Sequence, residues 1–134
     1  MRIILLVLSF VLSVSVSAQK PNCKKFRNGD FTYIDKLTSL EVTVKREGIT
    51  QVEYNSDFDM TITSKVIWKS DCEYELVYQK IEGAFGNGEL PEKSLYCRIL
   101  ETKGNTFKVH SRTGTTDPGH IYDFKKVKAN SPKH

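Results

Sequence analysis

The sequence has little of what enzyme and metal sites are made from. Its three histidines, His110, His120 and His134, stand apart with no HExxH or HxH spacing, and its three cysteines, Cys23, Cys72 and Cys97, form neither a CxxC pair nor a Cys/His cluster. Zinc therefore finds no ligand set. A serine nucleophile would need a GxSxG elbow, which is missing. Gly29 and Gly86-Asn87-Gly88 open no helix that could point backbone N–H groups at a phosphate. Glu73, Glu75, Glu82, Glu89 and Glu101 fall on wet strand faces or in turns, where they serve solubility. His110 reads as an exposed strand residue, and His120 beside Asp117 and Asp123 makes no catalytic arrangement. No catalytic residue, metal or cofactor is expected.

A dominant charge is lacking as well. The 134 residues carry 20 basic and 16 acidic side chains, with 27% charged and 39% hydrophobic residues, which excludes a disordered polar chain and a multi-span membrane protein. So mild a balance names no partner, and no nucleic-acid partner is expected. The basic runs Lys24-Lys25-Phe26-Arg27 and 122–128 would meet only if the first and last strands adjoin.

One long apolar run is present, from Ile3 to Val16, preceded by Arg2 and followed by Val16-Ser17-Ala18. This is the pattern of a cleaved export signal over residues 1–18, too short and too serine-rich for a transmembrane anchor. Removing 18 of the 134 residues leaves 116, and losing Arg2 leaves 19 basic against 16 acidic residues, a net +3. One domain is expected over 19–128, with a flexible basic tail over 129–134, in a periplasmic or secreted protein. Disulfides persist in such compartments. Cys97 shares a strand face with Leu95 and Ile99 and reads as a free, buried thiol, whereas Cys23 and Cys72 lie in polar surroundings at strand edges and are expected to pair.

Hydrophobicity alternates with period two almost throughout, and turn residues recur every eight to twelve positions or so. The spacing predicts an all-β antiparallel meander of eight strands: 26–34, with a bend at Asn28-Gly29-Asp30, then segments around Val42, Val52, Val66, Leu76, Ile99, Val109 and Phe124. Short hairpins and the hazard of open edges favour a small closed up-and-down barrel of lipocalin type over a two-sheet sandwich. The alternation places Tyr33, Tyr54, Met60, Trp68, Tyr74 and Tyr78 on inward faces, where they would line a pocket for a small apolar ligand. The pattern fails over 80–92, a connection whose Ile81, Phe85 and Leu90 are candidate lid residues.

Cys23, Phe26-Arg27-Asn28-Gly29-Asp30-Phe31, Arg46, Gln51, Trp68, Asp71-Cys72-Glu73-Tyr74-Glu75-Leu76 and Glu101-Thr102-Lys103-Gly104-Asn105 together resemble a group of small secreted β-rich proteins of uncertain function from Bacteroidota. The resemblance implies the Cys23–Cys72 pairing and carries over no catalytic residue. Some members bear a DNA topoisomerase IV label, an activity for which a β domain of this size has neither ATPase nor cleavage module. The start 26–31 also resembles that of lipocalin and fatty-acid-binding barrels, with Phe31 where those families place tryptophan. These readings together give an exported, monomeric, non-catalytic protein that holds a small apolar or amphipathic ligand. The alternatives are a filled-core envelope or secreted interaction module, and a small hydrolase or isomerase.

Overall fold

The computed structural model describes residues 20–83, 86 and 88–129. The expected export signal (1–18), Phe85 and positions 130–134 of the expected tail lie outside the described residues. Eight strands follow one another: β1 (Gly29–Ile34), β2 (Glu41–Glu47), β3 (Thr50–Asn55), β4 (Met60–Trp68), β5 (Glu73–Gly83), β6 (Leu95–Lys103), β7 (Thr106–Arg112) and β8 (His120–Val127). Each pairs antiparallel with the next, and β8 returns to β1 through Asp30–Val127, Phe31–Lys126 and Thr32–Lys125, closing the up-and-down barrel. The sandwich alternative is thereby excluded. Closure also brings the two basic runs together, with Lys126 Nζ donating to the Lys25 carbonyl at 3.2 Å.

β2 displays the alternation in its simplest form. Val42, Val44 and Arg46 are buried while Glu41, Thr43, Lys45 and Glu47 are exposed, because successive side chains of a strand point to opposite faces. A four-residue 3₁₀ turn, Cys23–Phe26, plugs one end of the barrel. Its Phe26 ring lies 4.3 Å from Phe107 and 6.4 Å from Phe31, and Phe107 stacks on Phe124 at 5.0 Å. These rings are all buried, each stabilising by about 1.5–3 kcal/mol. The sequence pattern had put Phe26 in the first strand. It lies instead in the plug, and Gly29, at a φ of +138° open only to glycine, turns the chain into the wall.

The Cys23–Cys72 disulfide forms as expected, joining the plug to the β4–β5 turn across a sequence separation of 49 residues, and Cys97 is free and buried. Two irregularities shift the pairing register. In β5 Gln79 is the extra residue, so that Ser64 pairs with Tyr78 and Thr63 with Lys80; in β6 it is Leu100. The second turns Leu100 outward, where it is exposed with Tyr96.

Candidate functional site

The barrel is filled at the plugged end and hollow toward the other. A cavity of about 390 Å³ occupies the hollow half, walled by Tyr33, Ile62, Leu76, Tyr78, Leu95, Tyr122 and Phe124 and floored by Gln51, Glu53, Tyr74, Cys97 and Ser111. Its mouth carries Asp35, Thr113, Asp117 and His120. A side chamber of about 220 Å³, lined by Val42, Met60, Phe58 and Leu37, shares Tyr33, Asp35, Glu53 and Ile62 with it. Glu53 therefore stands where the two spaces meet.

The floor is a connected set of polar side chains. Arg46 lies beneath it, 1% exposed, and donates from Nη1 to the Phe26 carbonyl at 2.9 Å, from Nε to Gln51 Oε1 at 2.8 Å and from Nη2 to the Tyr74 hydroxyl at 3.1 Å. Its guanidinium also sits 4.6 Å from the Tyr74 ring centroid and 5.4 Å from that of Phe31. A buried cation needs such complete pairing, since desolvation otherwise costs several kcal/mol by order of magnitude. Gln51 extends the set to Glu53, whose Oε1 accepts the Tyr33 hydroxyl at 2.8 Å. On the other side Tyr74 hydrogen-bonds Cys97, and Cys97 Sγ lies 3.5 Å from Ser111 Oγ.

Burial governs the protonation of these groups. It raises the Glu53 carboxyl above its ordinary value, more than the Tyr33 and Gln51 hydrogen bonds and the Arg46 charge lower it. Glu53 is half-buried, and the cavity leaves its carboxylate reachable. Burial and then the Glu53 charge push Tyr33 well above the usual phenol range and Tyr78 up to about 12. Burial likewise lifts the Cys97 thiol to about 11, against the lowering by Ser111 and Arg46, so it stays a neutral, unreactive thiol. At the mouth, hydrogen bonds from the Thr113 and Gly119 backbone and the Thr113 hydroxyl hold Asp117 down at about 2.

Of the residues expected in the pocket, Tyr33, Tyr74 and Tyr78 border the main cavity and Met60 the side chamber. Tyr54 does not. It points outward, 39% exposed, with its hydroxyl toward Asp59 Oδ1 at 3.3 Å. The reason is the phase of β3: Gln51 faces Arg46 and Glu53 faces Val44 across the β2–β3 pair, so the polar set turns in and Val52 and Tyr54 turn out. Trp68 is also absent from the cavity lining. It packs below the floor at 4.8 Å from Tyr74, with the Arg27 guanidinium 4.7 Å from its ring centroid. Among the lid candidates Ile81 accepts a backbone bond from Gly88 N at 3.1 Å, while Leu90 is 46% exposed.

Sequence reasoning missed Arg46, Gln51, Glu53 and Ser111. The signal was available for Arg46, which is in phase with Val42 and Val44 and so had to be buried and paired; the Glu47-Gly48 turn then sets Gln51 opposite it. A second hollow of about 390 Å³ shares Tyr74, Cys97 and Asp117 with the cavity and is otherwise lined by Lys69, Glu73, Tyr96, Arg98, His110 and Arg112. Arg98 pairs there with Glu73, Lys69 with Glu75 beside it at 3.4 Å, and Arg112 donates to the Gly114 carbonyl; the internal cavity, with its aromatic and aliphatic walls, is the better site for an amphipathic molecule.

Among the described residues no three His, Cys, Asp or Glu side chains converge as a metal site, and no helix is long and apolar enough to cross a membrane. Comparison with known protein families, with curated sequences and with solved structures gives no match. The class defined here rests on fold and site: a disulfide-linked, closed eight-stranded β-barrel with an internal cavity whose floor is polar.

Proposed function

We propose that this protein is an exported, monomeric, non-catalytic binding protein that holds one small amphipathic molecule inside its barrel. The observation that carries this reading is the cavity itself. A space of about 390 Å³ with aromatic and aliphatic walls and a few convergent polar groups falls in the size and composition range of small-molecule sites. An interaction module would gain nothing from leaving it unfilled. The disulfide and the signal-like start support export, and closure of the barrel leaves only a short stretch of β5 beyond Leu76 as an edge for pairing with a second copy. Native mass spectrometry of protein made in an oxidising compartment, before and after denaturation, tests the reading. A mass released on denaturing, and absent from a cavity-filling Leu95→Trp variant, is expected. A bare chain from both proteins would favour the filled-core interaction module.

A second reading has one observation in its favour. Glu53 combines a raised pKa with a pocket position and a Tyr33 partner, which is how general bases are arranged. Tyr33 supports it weakly, because its own raised pKa keeps it a hydrogen-bond donor to the carboxylate. If acid–base chemistry operated, the released molecule would change its NMR spectrum on incubation with the native protein and stay the same with Glu53→Gln.

A further inference from the structure

The charge of the cavity differs from that of the chain. Although the sequence is net basic, among the described residues the lining of the main cavity contains Asp35, Glu53 and Asp117 and neither lysine nor arginine. Among the described residues the cation beside the floor is Arg46, which lies below it with N–H groups donated to Phe26, Gln51 and Tyr74 and from there offsets part of the Glu53 charge. From this juxtaposition of carboxylates, aromatic walls and a committed arginine we infer that the molecule held in the barrel is a small organic cation, an aryl or alkyl amine whose ammonium group is directed at Glu53. The inference rests on the binding reading above and specifies its ligand.

The three carboxylates act differently. Glu53 is the contact: it lies at the junction of the two chambers, where it accepts from Tyr33 at Oε1 and hydrogen-bonds Gln51. Asp35 and Asp117 are spent on their turns, Asp35 accepting from Leu37 N, Thr38 N and Thr38 Oγ1 and Asp117 from Thr113 and Gly119. Those bonds keep both charges fixed at the mouth, where they attract a cation and repel an anion without touching either. The walls agree in sign. Tyr33, Tyr78, Tyr122 and Phe124 present ring faces or edges to the space, and an ammonium over an aromatic face is stabilised where water is excluded. A carboxylate-headed amphipath would drive Glu53 further toward its protonated form and find no arginine in the lining to pair with, whereas an ammonium beside Glu53 favours its carboxylate, the proton passing to solvent.

Three probes of one shape separate the possibilities: 4-phenylbutylamine, 4-phenylbutanol and 4-phenylbutyrate, titrated calorimetrically into the disulfide-bonded protein at pH 7.5. The amine is expected to bind about tenfold more tightly than the alcohol and the butyrate about tenfold more weakly. In Glu53→Gln, where the amide oxygen can still accept from Tyr33, the ratio of amine to alcohol affinity should fall to about one. Asp35→Asn, which preserves the turn acceptor, should lower the same ratio by a smaller factor should Glu53→Gln fail to fold. Butyrate binding as tight as the amine, or a ratio unmoved in both variants, overturns the cation inference and leaves the binding reading standing. Binding of none of the three overturns both.

Discussion

Arg46 is the residue on which the polar interior depends. It satisfies a plug carbonyl, a side-chain amide and a phenol at once, and no lysine could do this, because a single ammonium cannot reproduce the spread of a planar five-donor fork. Arg46→Met keeps the stem but orphans three buried partners and takes from Glu53 its compensating cation. Equilibrium urea unfolding should show a loss of about 3–5 kcal/mol, the range for breaking a buried ionic network from one side. Glu53 behaves in the opposite sense. Because the folded protein holds its proton more tightly than the unfolded chain, Glu53 costs stability as pH rises from the ordinary carboxyl range through its raised folded value. The groups facing it are Tyr33 from β1, Arg46 from β2, Gln51 from its own strand and the charge of Asp35. Glu53→Gln should accordingly melt at a higher temperature than the native protein at pH 7, with the difference shrinking toward pH 4. A difference that grows as pH falls would mean that Glu53 is stabilised as the anion. On the binding proposal, the destabilising acid at the cavity floor is kept for the ligand, and the same substitution should then both stabilise the empty protein and remove its preference for an amine.

At the scale of elements the plug and the wall are held together by different means. The 3₁₀ turn Cys23–Phe26 is too short to be stable alone and is fixed by Phe26 burial, the Arg46 bond to its carbonyl and the Cys23–Cys72 bridge. By loop entropy, a bridge spanning 49 residues of separation stabilises by about 4 kcal/mol. The double variant Cys23→Ser, Cys72→Ser should lose up to that amount in urea midpoint titration while keeping its far-ultraviolet β signal, because the wall pairings do not pass through the plug. A bridge removal without cost would mean that aromatic packing alone seats the turn. The strands were legible in the sequence because one dry face alternating with one wet face imposes period two, as in Val42, Val44 and Arg46. β3 was misread for the same reason: Val52 and Tyr54 look like a dry face until Arg46 is seen to need Gln51 across the hairpin. The extra residue at Gln79 hid the rest of β5, since it shifts the phase after Tyr78 and brings Ile81 opposite Ile62. The connections of the floor were not legible, because Arg46 with Tyr74 and Tyr33 with Glu53 are pairs separated by 28 and 20 residues that only the curled sheet brings together.

The whole molecule is polarised, with Lys24, Lys25, Arg27 and Lys126 around the plugged end and Asp35 and Asp117 at the mouth. Its wall is also uneven. β5 pairs with β6 only from Glu73–Arg98 to Leu76–Leu95, and beyond Leu76 it runs on to Gly83 paired with β4 alone. The seam opens beside Tyr78 and Leu95, both of which border the cavity, and farther along β5 the Ile81 carbonyl accepts from Gly88 N. Backbone groups without a ladder partner open at low free energy, whereas β2 and β3 are registered along nearly their full lengths and open only with the barrel. Hydrogen exchange should therefore find alternate amides of 77–83 and those near Leu95 among the fastest in the wall, and those of β2 and β3 among the slowest. Addition of a bound molecule at saturating concentration should slow the seam more than any other segment, because an occupant packed against Tyr78 and Leu95 holds these strands together from within. Protection confined to the mouth residues Asp35, Asp117 and His120 would place the molecule at the open end instead, with the β5–β6 gap a passive irregularity of the wall.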